Sequence, residues 1–193
     1  MTKKLLLAPA LIATACVMAG IYGAVHDQIS YTVSPGYFHE FKFIQFGVPP
    51  DLQNRLGAAI VGWMASWWMG LIIGVPICLS ALTVRGIGKF TRAFLLAAVI
   101  VIGVTLLVGL AGLAIGFLTI RDGNLPFWMA GRRVSDPVAF ARAGMMHDFS
   151  YLGGMIGLLA GTGVVIRQAV TSRRTADRTA ARAVNHRSND FRG

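Results

Sequence analysis

The sequence predicts an all-α fold, a transmembrane four-helix bundle with an ordered cap on its outer side. Of the 193 residues, 55% are hydrophobic and only 13% are charged, against roughly 25% charged residues in soluble domains. Four long apolar segments contain no acidic or basic residue. A bilayer core takes about 20 helical residues to cross. Because lipid offers backbone polar groups no partner, helices are the expected spanning structure.

The four predicted spans are residues 5–25, 57–84, 93–120 and 149–166, all within one transmembrane domain of residues 1–170. The second and third are long enough to tilt or to project beyond the lipid. The first segment begins "MTKKLLLAPALIATAC", with a basic start and small residues before Cys16, a pattern that a cleaved signal peptide also shows. The apolar run continues past Cys16, so we predict a retained helix and keep the signal peptide as the alternative.

The basic residues are divided unequally between the two sides of the predicted bundle. Twelve of the 18 lysines and arginines precede the first span, link the second to the third, or follow the fourth. By the positive-inside rule, this distribution predicts a bacterial inner-membrane protein with both termini in the cytoplasm. Residues 171–193 form a basic cytoplasmic tail that we expect to be disordered. Because topology explains the net charge of +10, we predict the lipid bilayer as a partner and no nucleic acid.

The outer loops carry signals of ordered structure. Ser34-Pro35 is typical of the start of a short helix, and the phenylalanines that follow favour the membrane interface. Pro49-Pro50-Asp51 predicts a stop followed by a helix that begins near Leu52. Ser135-Asp136-Pro137 predicts the cap of a helix that runs through His147 into the fourth span.

Glycines recur at every fourth position in three predicted spans. They are Gly153, Gly157 and Gly161, then Gly70 and Gly74, and finally Gly112 and Gly116. Small residues at this spacing let helix backbones approach closely in a membrane. Packing within one bundle is the first interpretation. A homo-oligomer or a contact with a membrane-protein partner stays open.

Two similar polar segments stand at the same predicted interface. They are "GAVHDQISYTV" (residues 23–33) and "GMMHDFSYLGG" (residues 144–154). The candidate ligands of a transition metal in and near them are His26, His147, His39, Asp27, Glu40 and Asp148. Imidazole and carboxylate suit zinc, iron, copper or manganese, and two facing histidines also suit a haem. None of the pairs has a diagnostic metal spacing. A structural polar network and a site for protons or a small ligand are the alternatives.

The strings "HDQISYTVSPGYFHEFKFIQFG" and "HDFSYLGGMIGLLAG" resemble a family of uncharacterised bacterial integral membrane proteins with four predicted spans. The resemblance covers roughly a third of the chain and implies the four-span topology without a mechanism. In that family's pattern Glu commonly follows the Ser-Pro pair and Asn follows the second His. This chain has Gly36 and Asp148 there, so the resemblance makes Asp148 a weaker ligand candidate than His26 or His147.

No catalytic residue is predicted, because the serines near the histidines lack the frame of a nucleophile elbow, and whether the chain is an enzyme stays open. The first functional hypothesis is a non-enzymatic membrane subunit or accessory protein with a polar His/Asp/Tyr network at its outer face. The alternative is a redox or metal-handling protein that binds a metal or haem through the outer histidines. The second hypothesis gains if His26 and His147 point into one pocket with carboxylates in reach.

Overall fold

The structure is a computed structural model that describes residues 1–190, with side chains described as far as Arg174. The long helices are α1 (Thr2–Val33), α2 (Arg55–Ser66), α3 (Met69–Ala81), α4 (Ile87–Thr119) and α5 (Pro137–Asp190). Short helical turns cover Pro35–Tyr37, Phe38–Lys42, Phe43–Gln45, Pro50–Leu52 and Phe127–Met129. No β-strand occurs in residues 1–190, so the predicted all-α class is confirmed.

Three helices are long and apolar enough to cross a membrane, namely α1, α4, and α5 as far as Arg174. The helices α2 and α3 pass the same test only as a pair, and they make a fourth span if the pair is counted as one. Large apolar side chains on these helices point away from the protein, such as Leu118 and Leu159, each 74% exposed. Such faces suit contact with lipid, which supports the predicted membrane location.

The predicted continuous span 57–84 is broken at Trp67 and Trp68, where α2 and α3 meet at an angle of 40°. Here the backbone hydrogen bonds tighten to three-residue spacing, since Gly70 N–H donates to Trp67 O and Leu71 N–H donates to Trp68 O. A short 3₁₀ turn of this kind bends a helix without leaving its backbone groups unpaired.

The helix starts follow local capping chemistry. Ser34 Oγ accepts from Tyr37 N at 3.1 Å, as the Ser-Pro pair predicts. Asp136 Oδ1 accepts from Ala139 N at 2.9 Å at the start of α5, so this predicted cap is also present. The start predicted near Leu52 was three residues early. The side chain of Asn54 caps α2 instead, accepting from Leu56 N at 2.8 Å, because Pro50–Leu52 forms a separate 3₁₀ turn.

Small residues bring the helices of this chain together. A side chain at Gly23 of α1 would collide with the backbone oxygen of Gly62 in α2, and one at Gly70 would collide with the backbone of Cys16. Likewise Gly153, Gly157 and Gly161 of α5 lie against Thr105, Val101 and Ala97 of α4. The predicted glycine faces are thus occupied by helices of the same chain.

The two ends of the bundle differ in how they are closed. At one end, Lys4 Nζ donates to the carbonyl oxygens of Leu82 and Val84. We call this the Lys4 end. At the other, the histidine end, the loop of residues 34–54 folds inward, and Phe38 and Phe43 are fully buried. The helix α1 continues beyond residue 25, the predicted limit of the first span, so His26 and Asp27 lie within α1.

The tail that the sequence predicts to be disordered begins as a continuation of α5, which is helical to Asp190. Alanine and arginine, which are frequent in "RTADRTAARAV", are strong helix formers, and this composition explains the continuation. The last three residues of the predicted tail lie outside the described residues.

Candidate metal centre

The histidine end places three metal-ligating side chains from two helices around one point. His26 and Asp27 come from α1, and His147 comes from α5. His26 Nδ1 lies 3.0 Å from Asp27 Oδ1, and His147 Nε2 lies 3.8 Å from the same oxygen. One ligand atom from each of the three lies within 4.8 Å of the others. Two ligands of a tetrahedral zinc ion lie about 3.4 Å apart, so small side-chain movements would complete the coordination.

Ser150 links His26 of α1 to α5. Its Oγ lies 3.0 Å from His26 Nε2, 2.9 Å from Met146 O and 3.2 Å from Tyr22 OH. The other ring nitrogen, His26 Nδ1, lies 3.0 Å from Asp27 Oδ1, so a proton between these two atoms makes a hydrogen bond in metal-free protein. A metal ion bound between His26 and Asp27 would replace that proton. His26 would then carry its proton on Nε2, where Ser150 Oγ is in position to accept it.

His147 brings a second imidazole towards the same oxygen of Asp27. Its Nε2 is buried, and within the described side chains it has no hydrogen-bond partner. Tyr37 stacks on the imidazole ring with centroids 4.9 Å apart, and the His26 ring touches it edge to face at 4.6 Å. The ring is therefore held with its nitrogen towards Asp27. A buried polar atom without a partner costs about 1–3 kcal/mol, which a bound cation would recover.

A cavity of about 110 Å³ opens beside the three ligands. Its apolar wall includes Val61, Ile73, Val101 and Ile102, and its polar end carries the three ligands with Tyr22 and Lys42. Ser66 and Met69 also line it, so the break between α2 and α3 lies at the side of the cavity.

A second, wider groove lies beside the first cavity at the histidine end. It is lined by aromatic side chains, by Arg132 and by Asp148, and it shares Lys42, His147 and Tyr151 with the inner cavity. These three side chains therefore border both spaces.

Lys42 is held at the border of the two spaces by a π-helical turn, Phe38–Lys42, in which Phe43 N–H bonds to Phe38 O. Its side chain is only 8% exposed, and its ammonium lies 4.9 Å from the centre of the Phe41 ring. Burial lowers the pKa of Lys42, while Asp27 and Asp148 act in the opposite direction. Burial also raises the pKa of Tyr37, and nearby acidic groups add to that effect. The loop thus places a costly positive charge next to the ligands.

The structure brings together only three of the six candidate ligands. In the loop of residues 34–54, His39 Nε2 is 3.2 Å from the hydroxyl oxygen of Tyr31 in α1. The Glu40 carboxylate of the same loop accepts from Ser135 N at 3.0 Å and from the Ser135 hydroxyl, which connects the loop to the start of α5. The side chain of Asp148 is exposed in the groove. His39, Glu40 and Asp148 therefore stand apart from the cluster.

Haem ligation by the two histidines does not fit this arrangement. A haem held between two axial histidines has its flat macrocycle between the imidazole rings. Here the rings of His26 and His147 are in contact, with centroids 4.6 Å apart, and both face the same carboxylate oxygen. The geometry suits a single ion.

Of the polar side chains beside the cluster, Lys42 was not predicted from the sequence. Tyr22 lies four residues before His26, so the two share a helix face, in keeping with the predicted His/Asp/Tyr network. Ser150 belongs to the second polar segment but was not a candidate ligand. Lys42 had no signal in the local sequence, because its position depends on the π-helical turn. Comparisons of the chain with protein-family models, with curated proteins and with solved structures found no match.

Proposed function

We propose that the protein is an integral membrane protein of the bacterial inner membrane that binds one transition-metal ion at its histidine end. The observation that carries the proposal is the convergence of His26 Nδ1, His147 Nε2 and Asp27 Oδ1 at one buried point. Two histidines and one carboxylate form a common ligand set for Zn²⁺ and for non-haem Fe²⁺. Such sites keep an open coordination position, which here faces the cavity.

The surroundings of the ligands support a metal site over a purely structural network. Metal-binding histidines usually donate their second N–H to an oxygen atom that fixes the ring, and Ser150 Oγ is in that place for His26. A structural network would leave His147 Nε2 buried and unpartnered. Redox or metal handling therefore becomes the first functional proposal, and the non-enzymatic accessory protein becomes the second.

The proposed topology follows from charge and from the helix pair. Counting α2 and α3 as one span gives a four-helix bundle, in agreement with the family that the sequence resembles. Lys3, Lys4, Arg85 and Lys89 lie at the Lys4 end, which the positive-inside rule assigns to the cytoplasm. The histidine end, with the loop of residues 34–54 as its cap, then faces the outer side, where metal ions reach the groove.

The test is the metal content of protein purified in detergent through a tag that contains no histidine. We expect about one zinc or iron ion per chain in the wild type. In the His26→Ala/His147→Ala variant, we expect the ion to be lost. His39→Ala is the matched control, because it removes an imidazole of the same end that lies outside the cluster.

Titration of metal-free protein with Zn²⁺ and with Co²⁺ completes the test. If the wild type binds neither ion more tightly than the double variant does, the metal proposal is wrong. The polar cluster would then be a hydrogen-bonded network that shares protons, and the accessory-protein proposal would take its place.

A further inference from the structure

We infer that the loaded site also binds a small anion, held in the cavity between the metal ion and the ammonium of Lys42. The inference rests on the proposed metal site and names the ligand of its open position. The anion is of the size of azide, formate or carbonate. Two features of the cavity carry the inference, namely its charge and its space.

The first feature is a surplus of positive charge. A divalent ion with two neutral histidines and the single carboxylate of Asp27 leaves a net charge of about +1 on the centre. Lys42 lines the same cavity and adds another positive charge. Within the described side chains its ammonium forms no ion pair with a carboxylate, and its hydrogen bond is to Gln45 Oε1 at 3.3 Å.

A buried positive charge without a negative partner raises the free energy of the folded protein. Buried charges in proteins are paired or coordinate metals, because the desolvation cost is otherwise several kcal/mol per ion. The carboxylate nearest in the groove, Asp148, is exposed to solvent and does not line the inner cavity. No second carboxylate lines that cavity among the described residues. The missing negative charge therefore has to come from a ligand.

The second feature is space at the open coordination position. Three protein ligands leave at least one position free on a tetrahedral ion, as in sites that bind a water or a substrate. The cavity of about 110 Å³ is several times the roughly 10–15 Å³ that one water molecule needs. It has room for an anion of three or four heavy atoms. The apolar wall formed by Val61, Val101 and Ile102 limits competing hydration.

The neighbouring groove adds a second positive charge near the cavity. This groove shares His147 and Lys42 with the cavity and also carries Arg132, whose guanidinium lies over Phe41 and Phe140 at 5.4 and 5.6 Å. Two cations in one aromatic-lined groove attract anions and raise their local concentration. The groove also carries the carboxylate of Asp148, whose negative charge would attract the metal ion.

The experiment uses Co²⁺-loaded full-length protein in chloride-free buffer and follows the visible absorption bands of cobalt during titration with azide. We expect a saturable change in these bands for the wild type. Lys42→Met should weaken azide binding by about tenfold or more. The same variant should bind Co²⁺ as tightly as the wild type or more tightly, because a repelling charge has been removed.

Arg55→Met is the matched control, since Arg55 is a cation of the same end that bonds to Thr32 and does not line the cavity. It should leave both affinities unchanged. If Co²⁺ binds and azide leaves the bands unchanged, or if Lys42→Met binds azide as well as the wild type does, the anion site is wrong and the metal site stands. If Co²⁺ does not bind at all, the proposed function fails and the anion site fails with it.

Discussion

The two His-Asp segments face each other across the same cluster but supply different parts of it. The segment in α1 provides one imidazole and the carboxylate of Asp27, which is 3% exposed. The segment in α5 provides the second imidazole and the hydroxyl of Ser150, while its own Asp148 points to solvent. The similar sequences therefore do not form two copies of one site. Each segment supplies a different half of a single site.

The different roles of the two serines follow from one residue of spacing. Two residues separate Asp27 from Ser30, and one residue separates Asp148 from Ser150. Each residue turns a helix by about 100°, so the two serines stand at different angles to their histidines. Ser30 Oγ is directed at the carbonyl of Asp27 at 3.5 Å, within its own helix, whereas Ser150 Oγ reaches His26 across the helix interface.

We expect the largest difference in metal affinity between variants of the two aspartates, Asp27 and Asp148. Asp27→Asn removes the charged ligand that faces both histidines, so we expect metal affinity to fall by more than about 100-fold. Asp148→Asn should change it less than about threefold, because Asp148 is outside the cluster. Competition titrations with a zinc-sensitive dye measure both. Equal losses in the two variants would contradict the division into halves.

Much of this comparison was open to prediction from the sequence. The all-α class and three of the four predicted apolar spans follow directly from composition and segment length, and His26 and His147 were expected at one interface. The rotation that exposes Asp148 depends on how α5 packs against α4, where Gly109 lies against Ser150 and Gly112 against Phe149. That packing angle is set by contacts between distant segments, and no local pattern encodes it.

The break in the second predicted span and the inward position of Lys42 could not be predicted from the local sequence either. The sequence around Trp67 and Trp68 is apolar apart from Ser66 and contains no proline at the bend. On either side of the bend, Gly62 packs closely against Gly23 and Gly70 packs closely against Cys16. The π-helical turn that brings Lys42 inward likewise depends on the burial of Phe38 and Phe43.

A smaller effect is expected from the two serines. Ser150→Ala leaves His26 Nε2–H without its acceptor and frees the ring to turn, so we expect a loss of about 10–100-fold in metal affinity. Ser30→Ala removes a hydroxyl that is more deeply buried than that of Ser150 but bonds weakly to its own helix. It should leave the affinity within about threefold of wild type. Isothermal titration of both variants checks the contrast, and a larger loss for Ser30→Ala would reverse our assignment.

The packing of α4 against Ser150 can be altered without changing any polar residue. A methyl group at Gly109 would lie 2.3 Å from Ser150 Oγ, so Gly109→Ala forces the hydroxyl into another rotamer. We expect about tenfold weaker metal binding and a lower melting temperature. Gly103→Ala is the control on the same helix, because nothing lies within 4 Å of its added methyl group. It should be neutral or slightly stabilising. Similar behaviour of the two variants in thermal melts and titrations would argue against the close fit at Ser150.

The smallest expected effect concerns Lys42 in metal-free protein. Burial lowers its pKa below the ordinary value of 10.5, so folding disfavours the ammonium. Wild-type stability should rise as the pH increases from the lowered pKa towards 10.5, because the unfolded chain then binds more protons. The Lys42→Met variant has no buried ammonium, so it does not lose stability in this way. We expect it to melt about 2–4 °C higher at neutral pH, with the gap closing at higher pH.

Lys89→Met, an exposed change at the Lys4 end, serves as the control for that series and should show no pH-dependent gap. A gap for Lys42→Met that widened with pH would mean that the ammonium stabilises the metal-free fold.

The donor atoms of the proposed centre come from the first and the last helix of the chain, more than a hundred positions apart in order of synthesis. The proposed centre is consequently complete only after α5 has been synthesised and inserted. A chain without an inserted α5 holds one imidazole and one carboxylate of the proposed centre. Occupancy by an ion would therefore report that α1 and α5 have come together in the bilayer, and the ion would link these two helices.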